Sequence, residues 1–226
     1  MKKSVVLLHL FLLLLANNSI FAQSTFGIDL QKSSTITIHG TTNLISFKLT
    51  QKGDKLSKRN FLITATQNQN KILLSQNEHT ILVKDFTSDN KMALRDFLKL
   101  VKATTYPSFS VKLESFEIDP KGNNKDLLKA IVSVDLTITG KTKHYNISVK
   151  SIHDGDIYKL NGIKKINIRD FGLEPPVEML GLIRVNEWIN IDFDIICKIT
   201  IDKASQELNA STNPFSGNGK LTAYPF

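Results

Sequence analysis

Apolar residues alternate with polar ones along most of this chain, and a period of two predicts half-buried β-strands. Ile36 and Ile38 alternate with threonines, and Ile45, Phe47 and Leu49 with Ser46 and Lys48, the two runs meeting at His39-Gly40. Gly53-Asp54 opens a loop, after which Phe61, Ile63 and Ala65 share one face up to the polar cluster Gln67 to Asn70. Ile72 to Ser75 and Thr80 to Phe86 read as two more strands joined by Gln76-Asn77-Glu78. Phe109, Val111 and Leu113 resume the pattern, and Asp119 to Asn124 forms a turn rich in breakers. Val132, Val134, Leu136 and Ile138 follow as far as Gly140, then Tyr145, Ile147 and Val149. Asp154-Gly155-Asp156 marks the next hairpin, and Ile166 and Ile168 lead into Arg169-Asp170-Phe171-Gly172. The longest alternation runs from Ile189 to Ile201, well beyond the about five or six residues of an ordinary strand.

One stretch departs from this pattern. Between Asp89 and Lys102, Ala93, Phe97 and Leu100 recur at helical spacing, as do Leu94, Leu98 and Val101, with Arg95, Lys99 and Lys102 opposite. Ser88 or Asp89 suits the N-cap, and Pro107 cannot continue the helix. A helix of about three turns is expected against one mouth or wall of the sheet. Long strands with one apolar face and a single helix predict an all-β fold, a closed antiparallel β-barrel of about eight strands. A two-sheet sandwich is the alternative. Phe47, Phe109, Val111, Leu136, Ile138, Ile191 and Phe193 then point inward, and a barrel of that size either fills with such side chains or holds one small ligand.

Both termini read differently. Lys2 and Lys3 precede the apolar run Val5 to Ala16, and Ala22 is the small residue before a cleavage point, as in a secretory leader over residues 1–22. The domain is expected over 23–203, and the segment 204–226, rich in Ser, Asn, Gly and Pro, as a flexible tail. The formal charge of +8 falls once Lys2 and Lys3 are removed. The basic residues are scattered through loops: Lys55, Lys58 and Arg59 in one, Lys141 and Lys143 in another, Lys164 and Lys165 in a third. Scatter without stacking aromatics is not a nucleic-acid footprint; a mild attraction to anionic lipid head groups is compatible with it.

Residue types that carry chemistry are sparse. No two of His39, His79, His144 and His153 sit at a metal-ligand spacing, no phosphate loop or nucleophile elbow is present, and no cofactor is expected. Cys197 is the sole cysteine, so no internal disulfide forms, and its parity with Ile195 and Ile199 makes it a small wall hydrophobe. Asp192 and Asp194 share a face with Asn190 and Lys198, which reads as solvent-facing. Asp170, beside Phe171-Gly172, is a turn-fixing residue or a catalytic acid or base.

Four segments carry a family resemblance. Gly40-Thr41-Thr42-Asn43 followed by Phe47 resembles the opening G-T-S/T-N…F of the YceI-like family. Met92 followed by Tyr106-Pro107-Ser108-Phe109, then Leu136-Thr137-Ile138-Thr139-Gly140-Lys141-Thr142-Lys143, then Asp170-Phe171-Gly172, are similar to its later motifs, in the right order. Glu174-Pro175-Pro176 and the polar tail fall outside the pattern. The resemblance implies a lipocalin-like, eight-stranded barrel with a hydrophobic tunnel for an isoprenoid or quinone-type lipid, exported to the periplasm or secreted. The leading expectation is then a non-enzymatic carrier or sequestering protein, with the scattered basic residues compatible with transient contact with a membrane surface. Phe171 joins the seven inward residues as tunnel lining, and Arg169, Asp170 and Lys143 are expected at a polar mouth. An enzyme using the same cavity and a filled-core stress or assembly protein are the alternatives. The oligomeric state is left open.

Overall fold

The computed structural model describes residues 23–56, 60–68, 71–75, 77–119, 127–178 and 182–201; the expected leader and tail lie outside them. Pairing closes eight antiparallel staves into a barrel, each beside its neighbour in the chain. The first stave is β1 (Gln23–Leu30) continued by β2 (Thr35–Thr41), and the second is β3 (Ser46–Lys52) continued by β4 (Asn60–Asn68). The third is β5 (Lys71–Ser75) continued by β6 (Glu78–Leu82). β7 (Ser108–Ile118), β8 (Leu128–Ile138), β9 (Lys141–Asp154), β10 (Ile157–Asn167) and β13 (Trp188–Ile201) are single strands; the ribbon β11 (Val177–Glu178) and β12 (Ile183–Arg184) stands apart. β13 pairs β10 along one edge, and β2 and then β1 along the other. That second edge rules out the sandwich.

Two buried polar side chains make two of the three interrupted staves possible. Ser34 lies between β1 and β2, 1% exposed. Its hydroxyl accepts from the Ile196 N–H and donates to the Ile196 carbonyl, both at 3.0 Å. Asn77 does the same between β5 and β6, accepting from the Leu113 N–H at 2.6 Å and donating to its carbonyl at 2.8 Å. Each restores the ladder where the break would orphan a buried backbone group, at a cost of about 1–3 kcal/mol. The expected joint at Asn77 is therefore a kink within one stave, since β5 and β6 both pair with β7.

The helix is α1 (Lys91–Leu100), capped by Asn90, whose side chain accepts from the Ala93 N–H at 3.0 Å. Ser88, one of the two expected caps, instead donates to the Lys48 carbonyl at 2.6 Å. The apolar stripe of α1 packs into one end of the barrel, where Phe97 meets Phe86 and Phe109 with ring centroids 5.4 and 6.2 Å away. Leu49, Val83, Ile166 and Phe171 belong to the same cluster. Beside it, the β8–β9 turn holds Thr139 and Gly140 at φ of 48° and 76°. Gly140 adopts this backbone freely, and the Thr139 hydroxyl anchors its own strain by donating to the Phe171 carbonyl at 3.1 Å.

Candidate functional site

The remainder of the interior is a cavity of about 960 Å³, at the upper end of the ~300–1,000 Å³ usual for small-molecule sites. Strand parity builds its wall. Across β10 and β13 the pairs Leu160↔Ile195 and Lys164↔Ile191 line it, as does Phe193 opposite Gly162, while Asn161↔Asp194 and Ile163↔Asp192 alternate with them. Two cross-strand pairs lay an aromatic ring flat on a glycine. A Cβ on Gly40 would stand 2.2 Å from the Phe47 ring, and one on Gly162 2.3 Å from the Phe193 ring. With no side chain beneath them, the rings lie against the wall and leave the lumen open.

Phe47, Phe109, Val111, Leu136, Ile138, Phe171, Ile191 and Phe193 all line the cavity. Phe109, Ile138 and Phe171 do so from within the packed cluster, the other five as partly exposed wall. Leu44, Ile45 and Met92 line it while 68%, 55% and 58% exposed, so the cavity reaches the surface between the β2–β3 turn and the start of α1. Sequence reasoning passes over β1, whose Phe26, Ile28 and Leu30 also line the wall; their own alternation was the available signal. It also misses His79, whose ring lies 4.1 Å from that of Phe61 on the same wall.

The polar residues expected at the mouth stand elsewhere. Arg169, Asp170 and Lys143 do not line the cavity. Arg169 is exposed and donates to Glu187 at 2.6 Å and to Glu174, which hold its guanidinium charged above its ordinary range. Asp170 accepts from the Tyr145 hydroxyl at 3.4 Å. Lys143 is exposed near the start of β9. Lys164 and Lys165 are not in a loop but in β10, and Lys164 is a wall residue. Its place two residues before Ile166 on the same face was the missed signal.

Tyr145 also lines the wall, and its phenol is pushed up to about 12, first by burial, then by the charge and hydrogen bond of Asp170. Burial pushes the Cys197 thiol up to about 11, so it stays a neutral wall residue. His39 and His144 pair with Asp192 at 3.8 Å and Asp135 at 2.9 Å, away from the cavity. Asp194 is engaged by Lys159 at 3.5 Å. Glu78, His79 and Asp96 also line the cavity, Glu78 accepting from the Ser110 hydroxyl at 2.5 Å and Asp96 paired with Arg95 at 3.1 Å. What the arrangement offers is a large, mostly apolar volume with, among the described residues, one inward ammonium.

The sequence profile of the YceI-like domain family matches residues 63–197, more than half of the chain. No curated protein sequence matches it. Among solved structures, BcnA of Burkholderia cenocepacia is similar with a TM-score of 0.53 at 20% identity, over 72% of this chain and 95% of that one. A polyisoprenoid-binding domain from Saccharophagus degradans, implicated in plant cell wall breakdown, is similar with a TM-score of 0.53 at 12% identity, over 77% and 98%. At such identities the likeness is one of fold.

Proposed function

This chain belongs to the YceI-like domain family, and from that premise we propose that it is a non-enzymatic carrier or sequestering protein for an isoprenoid or quinone-type lipid. The observation behind this is the cavity of about 960 Å³ with its almost wholly apolar wall. A chain lying between Phe26, Phe47, Phe116 and Phe193 would leave water entirely. Burying roughly 300 Å² of it would contribute about 7 kcal/mol at ~25 cal/mol per Å², before the cost of ordering the ligand. The S. degradans domain, polyisoprenoid-binding by its description, supports the same choice of cargo. Asp170, the carboxylate an enzyme would use, stands outside the lumen, which favours binding over catalysis.

The protein is exported, its leader cleaved after Ala22, and works in the periplasm or beyond the cell; Lys2, Lys3 and the apolar run after them support this. It meets membranes transiently, and the exposed apolar residues Leu44, Ile45 and Met92 at the mouth support such contact. Solvent extraction of the purified full chain, followed by mass spectrometry, is the test. A co-purified prenyl chain is expected. No lipid, together with no uptake of an added prenyl alcohol, would overturn the carrier reading, and a turnover abolished by Asp170→Asn would replace it with an enzyme.

A further inference from the structure

The ladder between β9 and β10 runs from Ile157↔Asp154 to Gly162↔Val149 and ends there. Both strands continue on their other sides: β9 pairs β8 from Lys141 onward, and β10 pairs β13 as far as Asn167↔Trp188. Residues 141–148 and 163–167 therefore border a gap in the barrel wall. Gly162 stands at its edge, where a Cβ would come 3.0 Å from the Ser148 carbonyl oxygen. Lys164 spans the gap. Its Nζ donates to the Asn146 carbonyl at 2.9 Å and lies 5.3 Å from the centroid of the Tyr145 ring. On the outer flank Ile163 is 63% exposed, and Lys165 lies over the Trp188 ring at 5.2 Å.

An inward lysine is an unexpected member of an apolar wall. Parity puts Lys164 on the face of Leu160 and Ile166, and it is the one lysine or arginine lining the cavity among the described residues. The ammonium has three donors, of which the Asn146 carbonyl takes one. A cation with donors in hand, at a gap in the wall of an apolar cavity, matches an amphiphile with an apolar tail and a negative head. We propose that the β9–β10 gap is a head-group site, where Lys164 holds an anionic head group while the chain lies in the lumen. This rests on the lipid-binding reading and adds the charge of the ligand to it. The Asp170 carboxylate is engaged by the hydroxyl of the same Tyr145, at 3.4 Å.

A matched pair of probes tests it: geranylgeranyl phosphate and geranylgeraniol, each competed against a fluorescent apolar dye on the full chain. The wild type is expected to bind the phosphate roughly tenfold more tightly, as one charge-assisted contact provides. Added salt should shrink that preference. Lys164→Met should bring the two probes level with the alcohol unaffected, and Lys164→Arg should retain the preference. Lys164→Gln, which keeps a donor for Asn146 without the charge, gives the same comparison if the Met variant does not fold. Equal binding of the two probes by the wild type, or a preference that survives loss of the charge, overturns the head-group site and leaves the carrier reading standing. Binding of neither probe overturns both.

Discussion

The two halves of this barrel are built from one alternating pattern and end in opposite states. At the α1 end, inward Leu49, Val83, Ile166 and Phe171 are almost completely buried. At the far end, inward Phe26, Leu74, Phe116, Leu160 and Ile195 stay partly exposed around the cavity. Residue type does not separate them. What differs is the opposing surface: α1 and the turn Ile168–Phe171 fill one end, whereas the other offers only the facing wall, which eight staves hold a ligand's width away. An inward apolar side chain is a core residue only when something closes over it. Stability is thereby concentrated at the α1 end, while the cavity runs from the far end past that cluster to its opening beside α1.

Truncation in each half tests that division most severely. Phe97→Ala should cost about 3–5 kcal/mol, because its ring is enclosed by Phe86 and Phe109 and the site cannot collapse. Phe116→Ala, already facing a void, should cost about 1–2 kcal/mol, since little new cavity surface is made. Urea unfolding with matched m-values reads both. Equal losses would mean that the open half is as well packed in solution as the closed one.

A smaller effect sits near the boundary of the two halves. Gln51 pairs across from Ile36, is 1% exposed, and neither carboxamide atom has a hydrogen-bond partner. Ser34 and Asn77, equally buried, are both satisfied. An unpaired buried amide costs about 1–3 kcal/mol, and an apolar group of the same shape avoids that. Gln51→Met should therefore raise the unfolding free energy by about 1–2 kcal/mol, measured in the same denaturant series. A loss of stability would show that the boundary needs the amide.

Most of the wall was legible in the sequence because burial on a strand is a local property. A period of two assigns Phe47, Val111, Leu136 and Phe193 to one face whatever the strand pairs with. The helix stripe was legible for the same reason at its own period. The interruptions were not, because the bonds that permit them are remote: Ser34 answers to Ile196, and Asn77 to Leu113. Asn77 therefore read as a turn. Lys164 read as loop because two adjacent lysines suggest solvent, and only the register with Ile191 turns one of them inward. The mouth residues were inferred from turn position, and position at a turn does not fix direction; Arg169 is turned aside by Glu187 and Glu174. Closure itself depends on β13 meeting β1, a pairing between the two ends of the domain that no local period encodes.

The finest probe of the divided interior is Tyr145, which touches both halves: its ring lies 6.4 Å from that of Phe171 in the packed cluster, and it lines the cavity. Its phenol is raised from 10.0 to about 12, by burial first and then by Asp170. A raised value means that the fold favours the neutral phenol. That contribution is complete below about pH 10 and is lost as the pH rises toward 12. Much of the group is in solvent, so the effect on stability is small, and the titration itself is the better readout. Tyr145 should give a late phase by phenolate absorbance, and Tyr145→Phe should remove that phase. Asp170→Asn should lower its midpoint only part of the way, since the larger cause remains. A full return to the ordinary value would mean that the Tyr145 wall is wet and that charge alone holds the proton, and the boundary between packed and open halves would then lie closer to Phe171.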